Sequence, residues 1–511
     1  MSRTLLLLGI LSYLYMVTMV TMAVPVNADE SVQYHVIACN FYPNAKYHVF
    51  WNPCDGSTDL NLFGLQLKRS YNYIGALSSY IYYPFFLVYP SILTQRLLGL
   101  IFLVAFVSIL TFLERENKSP VLIIFGLSFP LIYQLINDTG PVRYGLFMTV
   151  AAPWLVRQSI GVKQQGASKA LLNILLGVLL FLAIEDKPFF VYVLPSVILL
   201  IVAYNVQPQE RRLLQSIWFV LRQIWLGLSV MGGLACLYFF AAKTSSNDMY
   251  IADLIGSVKT YMLPEIATNL ASYMVNFGKF SSMVYERAYF SLLNIPFSLL
   301  IWLAGVVFIG KIAKIGLAAI PTRIVVTGLA FILNVCVFFV TRNTWASHHF
   351  IFPYVFALLI ICQSMAYIAS RKYFLVIYSV FSIVLASELW FSVPSARSSW
   401  ERYEIFKFLQ GADISEDYII AHLSLGTYYV ASLYGPKDQI SLQIRHLDGR
   451  TATNIIRISD TLRRRILCVC RGADCNAANL SARFMNKVTF EQINLLTGDW
   501  KVFCETKRIY S

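Results

Sequence analysis

Carboxylates follow several long apolar segments of the chain, at points where an acid could act on a reactant near a membrane surface. Asp29 and Glu30 follow an almost wholly apolar segment, Asp138 lies in QLINDTGPVRYG, and Glu185 and Asp186 lie in IEDKPFF. Ionisable groups near the membrane are expensive, and they mark functional sites by default. A carboxylate there can deprotonate or orient an acceptor hydroxyl. The alternative for each cluster is a solvated turn that only marks the interface.

Basic side chains occur in the same kind of segment, close to these acids or in another short turn. They are Arg143, Lys187, Arg342, His348 and His349. Lys and Arg can neutralise a phosphate group as negative charge develops on it. A histidine pair at the mouth of a helix is more often solvated than a ligand. Taken together, however, acids opposite bases indicate transfer of a group from a lipid phosphate.

The composition is that of a membrane protein. Hydrophobic residues make up 57% of the 511 residues, charged residues 13%, and the mean hydropathy is +0.61. A soluble chain carries about twice that charged fraction. The net charge of +14 arises largely from short loops and the tail, which fits attraction to lipid headgroups rather than to nucleic acid. The chain contains no zinc-spacing motif, no Walker-type loop and no GxGxxG after a strand.

We predict an all-α polytopic membrane protein with a small extracytoplasmic α/β domain at its C-terminus. The eleven predicted spans are 4–24, 97–113, 121–136, 142–157, 170–184, 188–206, 214–241, 288–310, 318–341, 350–370 and 373–392. They contain between 15 and 28 residues, around the roughly 20 apolar residues that cross a bilayer. The predicted domains are a transmembrane domain at 1–392, with external loops at 25–96 and 242–287, and a C-terminal domain at 393–511.

Lysines and arginines mark one predicted side of the membrane, as the positive-inside rule requires. The turns on that side carry Arg115, Lys118, Arg157, Lys163, Lys169, Arg211, Arg212, Lys311, Lys314, Arg371 and Lys372. This alternation predicts a cytoplasmic N-terminus, and the odd number of spans places the C-terminal domain outside. The acids and bases described above then lie at the outer face.

The cysteines outside the predicted spans all fall on the predicted external side. They are Cys39, Cys54, Cys468, Cys470, Cys475 and Cys504. Because paired cysteines are typical of an oxidising compartment, we expect disulfides, with free thiols as the alternative. The spacing does not predict which cysteines of the tail pair.

The segment that leads to Asp29 has two interpretations. Val26-Asn27-Ala28 resembles a signal-peptidase site, and cleavage there would make Asp29 a new N-terminus. The apolar segment before it is longer than the usual core of a signal peptide, which has roughly 7–15 residues. We therefore favour an uncleaved first helix. Asp29 emerges at the outer face in both cases.

Two external segments are too long to be simple turns. The segment 25–96 ends in an aromatic stretch interrupted by Pro84 and Pro90, and the segment 242–287 is also rich in aromatic residues. Both predict short helices that lie on the membrane with aromatic anchors at headgroup level. The tail alternates short apolar runs such as DYIIAHL, TYYVASLYG and DWKVFCE with polar turns, which predicts a small α/β domain.

Four places in the chain resemble the GT-C class of membrane glycosyltransferases, which use polyprenyl-phosphate sugars as donors. The resemblance is to the branch with the protein mannosyltransferases and the lipid A aminoarabinose transferase. The places are the acidic pair after the first helix; the loop YNYIGALSSYIYYPFFLVYPSILTQRLLGL with Tyr73, Gly75, Pro84 and Arg96; Asp138 in the second short outer loop; and DKPFFVYVLPSVILL with Lys187, Pro188 and Pro195. The Lys-Pro-Pro sequence of the aminoarabinose branch is absent before Gly75.

The resemblance implies a single inverting displacement, in which an acceptor hydroxyl attacks the anomeric carbon and polyprenyl phosphate leaves. Asp29 is then the candidate base, Glu30 orients the acceptor or holds a cation, and Asp138 assists acceptor binding or metal coordination. The donor phosphate is assigned to Lys187 and Arg143. Further substrate contacts are expected from Tyr73, Arg342, His348 and His349. A Mg²⁺ or Mn²⁺ cofactor on Asp29, Glu30 and Asp138 is left open.

The expected partners are therefore a polyprenyl-phosphate-linked sugar, membrane lipids and an acceptor hydroxyl on a glycan, lipid or protein. A bacterial inner membrane with a periplasmic active site, for example in O-antigen glucosylation, is favoured over the endoplasmic reticulum. The alternatives are a lipid or small-solute transporter and a non-catalytic membrane subunit. Transporters often contain two internal repeats with broken helices, and the two halves of this chain show no such symmetry.

Overall fold

The computed structural model describes part of the chain. The described residues are 3–22, 59–62, 65–68, 81–88, 92–115, 118–124, 128–137, 142–161, 166–205, 213–243, 310, 314, 316, 320–340, 351–364, 372, 375–376, 418–423, 440–444, 449–471, 475–495 and 500–509. The predicted spans 288–310 and 373–392 lie outside them, apart from single residues, as does most of both long external loops.

The described helices follow the apolar segments of the sequence, and short strands lie in the loop predicted to be the first external one and in the tail. The helices are α1 (Arg3–Met22), α2 (Tyr83–Val88), α3 (Ile92–Leu113), α4 (Lys118–Ile124), α5 (Phe129–Asn137), α6 (Arg143–Gly161), α7 (Ala167–Asp186), α8 (Phe190–Asn205), α9 (Leu213–Lys243), α10 (Thr322–Val340), α11 (Ile351–Ser364), α12 (Gly449–Leu462) and α13 (Ala477–Arg483). The chain forms two compact units, of which the first contains α1, α4–α11 and α3 from Arg96 onward.

Several helices of the first unit have the dimensions of membrane spans. Thr94–Leu113, Ala167–Asp186 and Leu213–Tyr238 are long and apolar enough to cross a bilayer, and shorter apolar helices occupy Phe190–Asn205, Thr322–Val337 and Ile351–Ser364. Helix α9 also exposes large apolar side chains, including Trp218 and Trp225, which suits a surface in contact with lipid. These features are those of an integral membrane protein.

One predicted span differs from the structure. Where the hydropathy predicts a single helix at 121–136, the structure has the two shorter helices α4 and α5. Ser128 lies outside both helices, and Pro130 lies in the first turn of α5, where proline is tolerated because its missing N–H would have no partner within the helix. As a result, α5 is a separate short helix that ends at Asn137, directly before Asp138.

Glycines permit the close approach of α7 and α9, two of the long apolar helices. A β carbon at Gly177 would overlap the carbonyl oxygen of Gly227 and lie 2.8 Å from Cβ of Val230, while one at Gly227 would lie 2.8 Å from the carbonyl oxygen of Asn173. In lipid, where burial of apolar surface does not drive association, such small residues let helix backbones pack closely.

We therefore expect Gly177→Ala to destabilise the first unit by about 1–3 kcal/mol, the usual effect of inserting a methyl group into a packed interface. The matched control is Gly233→Ala on α9, where a new β carbon meets nothing within 4 Å. That change should stabilise the helix by up to about 1 kcal/mol. Thermal unfolding in detergent measures both, and equal melting temperatures for the two variants would contradict the predicted crossing.

The second unit contains the strands, α2, α12 and α13. The hairpin strands β1 (Asp59–Leu62) and β2 (Leu65–Lys68) are antiparallel. The strands β3 (Tyr418–Leu423), β4 (Ile440–Ile444), β5 (Arg465–Arg471), β6 (Val488–Leu495) and β7 (Trp500–Arg508) form one sheet in the order β4-β3-β5-β7-β6. The first three are parallel, and β7 pairs antiparallel with β5 and β6. The external location of this sheet stays a prediction.

The sheet has a compact apolar core. The central strand β5 is buried from Ile466 to Cys470, as expected for a strand with both faces covered. Helix α12 buries Ala452, Ile455 and Ser459, a spacing that places them on one helical face. Two of the predicted apolar runs coincide with β3 and β7, whereas TYYVASLYG lies outside the described residues.

The prediction of disulfides is confirmed for one pair. Cys470 and Cys475 are bonded, whereas Cys468 and Cys504 are free and buried. Burial raises the pKa of the Cys468 thiol well above its ordinary value, and Glu505 and Cys504 add to that shift. Cys468 therefore stays an unreactive thiol in the folded domain. Cys39 and Cys54 lie outside the described residues.

Candidate active site

Most residues that the sequence nominates for the site lie outside the described residues. These are Asp29, Glu30, Tyr73, Asp138, Arg342, His348 and His349. Arg143 and Lys187 are described, and so are the helices that lead to several of the others. Because α5 ends at Asn137 and α11 begins at Ile351, these helices fix the chain next to Asp138 and the histidine pair.

Arg143 binds the end of a neighbouring helix. Its guanidinium is fully buried at the start of α6, and it donates from Nε to the carbonyl oxygen of Leu135 at 2.7 Å and from Nη2 to that of Ile136 at 2.6 Å. Both carbonyls belong to the last turn of α5, where the final carbonyls of a helix have no partner within the helix. The arginine thus caps α5, and its assignment to the donor phosphate stays a prediction.

Arg96 binds the end of the first helix, as Arg143 binds the end of α5. Its buried side chain donates from Nη1 to the carbonyl oxygen of Thr21 at 3.2 Å, one residue before α1 ends. Helices α1 and α5 pack against each other. The two helices that precede the predicted acids therefore lie side by side, and the last turn of each accepts hydrogen bonds from a buried arginine.

The end of α7 and the residue that follows it bury three ionisable side chains in succession. Glu185, Asp186 and Lys187 are 1%, 2% and 8% exposed. The hydroxyl of Tyr238 donates to Oε1 of Glu185 at 2.7 Å, and the carbonyl oxygen of Lys187 accepts from the N–H of Phe190 at 2.8 Å. Burial of charged groups is costly, and ionisable residues within membrane segments are functional candidates by default, so this segment stays a candidate part of the site.

Asn137, the last residue of α5, is a candidate that the sequence analysis missed. Its side chain is fully buried, and neither Oδ1 nor Nδ2 has a hydrogen-bond partner among the residues that the structure describes. A buried amide without partners costs about 1–3 kcal/mol. In a sequence, an asparagine at a helix end usually indicates a cap. Asn137 differs because its amide is buried without a partner among the described residues, so it could bind hydroxyls of a sugar or acceptor.

A second polar cluster lies at the other ends of the helices. The carboxylate of Glu114, just after α3, is fully buried and forms an ion pair with Arg323 of α10. Its Oε1 also accepts from the hydroxyl of Tyr204 at 2.6 Å and from Nε2 of Gln363 at 3.0 Å. The Arg323 guanidinium stacks over the Tyr204 ring with Cζ 4.3 Å from its centroid. These contacts tie together the ends of four helices.

This cluster is remote from the candidate site. Arg96 lies near the start of α3 and Glu114 just past its end, and eighteen residues at about 1.5 Å per residue separate them by roughly 27 Å. The sequence did not reveal it, because Glu114 stands among the charges of an ordinary turn. In the described part of the chain, no three His, Cys, Asp or Glu residues group to hold a metal ion, and the carboxylates predicted as metal ligands lie outside that part.

Comparison with solved structures identifies the fold. The crystal structure of ArnT from Cupriavidus metallidurans in the apo state matches with a TM-score of 0.56 and 10% identity, covering 98% of this chain and 97% of that chain. The structure of ArnT from the same organism bound to undecaprenyl phosphate matches with a TM-score of 0.58 and 10% identity, covering 98% of each chain. No family model and no curated protein matches by sequence. At this identity the likeness establishes the fold alone.

Proposed function

We propose that this chain, which has the polytopic membrane fold of the GT-C glycosyltransferases, transfers a sugar from a polyprenyl-phosphate donor to an acceptor hydroxyl. The observation that carries the proposal is the full-length likeness to ArnT bound to undecaprenyl phosphate. The packing of α1 against α5, which precede the predicted acids, supports it. The acceptor is a glycan, lipid or protein at the outer face of the membrane.

The proposed reaction is an inverting displacement at the anomeric carbon. Glu30 and Asp138 orient the acceptor. Asp29 takes the proton of the acceptor hydroxyl while the hydroxyl oxygen attacks the anomeric carbon. The bond from the anomeric carbon to the phosphate oxygen breaks as the new bond forms. The lipid phosphate leaves with its electron pair, and Lys187 neutralises the charge that develops on it. The histidine pair and Arg342 are proposed as further contacts to the donor.

The distribution of charge supports an outer site. Arg115, Arg157 and Lys169 lie at the helix ends opposite Arg96, Arg143 and Lys187, as the positive-inside rule places them on the cytoplasmic side. We accordingly propose a bacterial inner membrane with the reaction on the periplasmic face.

Binding of the donor phosphate tests the role of Lys187. Because a hydrogen bond to a charged group contributes about 1.5–3 kcal/mol, Lys187→Met should weaken binding of polyprenyl phosphate by roughly 10-fold or more, and Lys187→Arg should retain most of the affinity. The matched control is Lys169→Met at the other end of α7, where Nζ donates to Oε1 of Gln223 at 2.7 Å. Native mass spectrometry in detergent measures the affinity, and an unchanged value for Lys187→Met would contradict this assignment.

Stability and turnover should respond in opposite directions at Asn137. The Asn137 amide has no hydrogen-bond partner among the described residues, so replacing it by an apolar side chain, in Asn137→Leu, should stabilise the protein by about 1–3 kcal/mol while turnover falls. The control is Asn205→Leu at the end of α8, since that amide donates to the carbonyl oxygens of Pro153 at 3.0 Å and Ile201 at 2.9 Å and its loss should destabilise. Thermal unfolding measures the change in stability, and release of lipid phosphate measures the change in turnover. A destabilised Asn137→Leu variant would show that the amide stabilises the fold and would contradict this prediction.

A further inference from the structure

Two buried arginines occupy the ends of the helices that precede the predicted acids. Arg96 and Arg143 are among the largest fully buried side chains of the described residues. The last carbonyls of any helix lack partners within it and carry the negative end of the helix dipole. Many helices meet this need with a glycine cap. This chain instead places a permanent cation beside α1 and another beside α5, which is an expensive arrangement in a membrane protein.

One face of α3 connects both helix ends. Arg96 contacts α1, Gly99 contacts α5, and Phe102 lies beneath Arg143, with Cζ of that arginine 6.0 Å from the ring centroid. Residues three apart lie on the same face of a helix. Hence one face of α3, formed by residues 96, 99 and 102, contacts the ends of α1 and α5 and the side chain of Arg143.

Gly99 is required for this arrangement. A β carbon there would lie 2.5 Å from the carbonyl oxygen of Ile136 and 2.6 Å from that of Leu135, the same two carbonyls to which Arg143 donates. The end of α5 is therefore held from two sides, by the backbone of α3 and by the guanidinium of α6. A side chain at position 99 would displace it.

We propose that Arg96 and Arg143 are positioning residues, which fix the C-terminal ends of α1 and α5 and thereby the start of the chain that carries Asp29 and Asp138. This inference rests on the proposed function for the role of the two acids. Asp138 follows α5 directly, so its position depends most strongly on Arg143. The same geometry gives Arg143 a role other than that of a direct ligand of the donor phosphate.

Hydrogen exchange and kinetics on the full-length protein in nanodiscs test the proposal. Arg143→Met should increase amide exchange in peptides covering 129–142, and Arg143→Lys, which can still donate to a carbonyl, should restore part of the protection. The control is Arg157→Met, an arginine on the same helix whose Cζ lies 5.8 Å from the ring centroid of Phe112; it should leave that region unchanged. Unchanged exchange in Arg143→Met would overturn the proposal.

The kinetic readout separates positioning from phosphate binding. Because misplacement of a reacting group by about 1 Å can lower the rate 100-fold, Arg143→Met should lower kcat roughly 10- to 100-fold while the donor KM changes by less than about twofold. In the Asp138→Asn background the same change should have less than about a twofold effect, because residues that act as one unit are not additive. A donor KM that rises more than kcat falls would overturn the proposal in favour of a direct phosphate contact. A third result concerns the transferase function itself. If exchange in peptides covering 129–142 increases in Arg143→Met but neither the native protein nor any variant shows turnover, the capping of α5 by Arg143 is established and the transferase function is refuted.

Discussion

Asp29→Asn is expected to lower turnover of a polyprenyl-phosphate sugar by about 10²- to 10⁴-fold, the contribution of a positioned general base. Asparagine has nearly the shape of aspartate but cannot take the proton of the attacking hydroxyl. The chain reaches Asp29 from α1, whose end at Met22 is held by packing against α5 and by the bond from Arg96 to the carbonyl oxygen of Thr21. The protein should therefore fold normally while the chemical step fails.

The comparison with Glu30→Gln sharpens this expectation. Glu30 is proposed to orient the acceptor or hold a cation, so its loss should lower turnover less than the loss of Asp29. Both variants are made in the same background, and the melting temperature of each confirms that it is folded. If Asp29→Asn kept native turnover while Glu30→Gln lost it, the assignment of the base would move to Glu30. If both variants kept native turnover, the general base would be a different residue.

Arg323→Met is expected to destabilise the first unit by about 3 kcal/mol, near the lower end of the range for breaking a buried ion pair. The carboxylate of Glu114 is fully buried, while the side chain of Arg323 is 28% exposed. Loss of the guanidinium breaks the ion pair and leaves the carboxylate with Tyr204 and Gln363 as hydrogen-bond donors. It also removes the stacking on the Tyr204 ring, so the ends of α3, α8, α10 and α11 should loosen together.

Two comparisons isolate the buried charge. Arg115→Met removes an exposed arginine next to Glu114 and should change the free energy of unfolding little, because exposed ion pairs contribute about 0–1 kcal/mol. The double variant Glu114→Gln/Arg323→Met removes both charges and should recover part of the lost stability. Thermal unfolding in detergent measures all three variants. A double variant no more stable than Arg323→Met would show that packing, and not the uncompensated charge, accounts for the loss.

The positions of long helices could be predicted from hydropathy, because each apolar segment ends in charged or polar residues. The predicted spans 170–184 and 214–241 correspond to α7 (Ala167–Asp186) and α9 (Leu213–Lys243). The prediction of one helix at 121–136 was wrong, since an average over the segment is insensitive to Pro130, which lies in the first turn of α5 and is tolerated at the start of a helix but not in its interior. Hydropathy also contains no information on which helices are neighbours; in lipid that choice depends on close approach at residues such as Gly177 and Gly227.

The candidate site was predictable in its residue types and less so in its contacts. Charged residues near membrane segments are rare, so Arg143 and Lys187 could be nominated from the sequence. The bonds from Arg143 to the end of α5 could not be predicted, because a guanidinium can donate to backbone carbonyls as well as to phosphates and carboxylates. The bond between Cys470 and Cys475 likewise required the structure, since the tail contains four cysteines and spacing alone does not select a pairing.

The most direct test of the central claim is the release of lipid phosphate from polyprenyl-phosphate hexoses by the purified protein in nanodiscs, with a crude envelope fraction as the source of acceptor. The proposal predicts release that depends on the native protein and on acceptor and that falls sharply in Asp29→Asn and Asp138→Asn, both still folded. Absence of release with every hexose donor, together with movement of the same lipids across vesicle membranes, would contradict the transferase function and indicate a transporter.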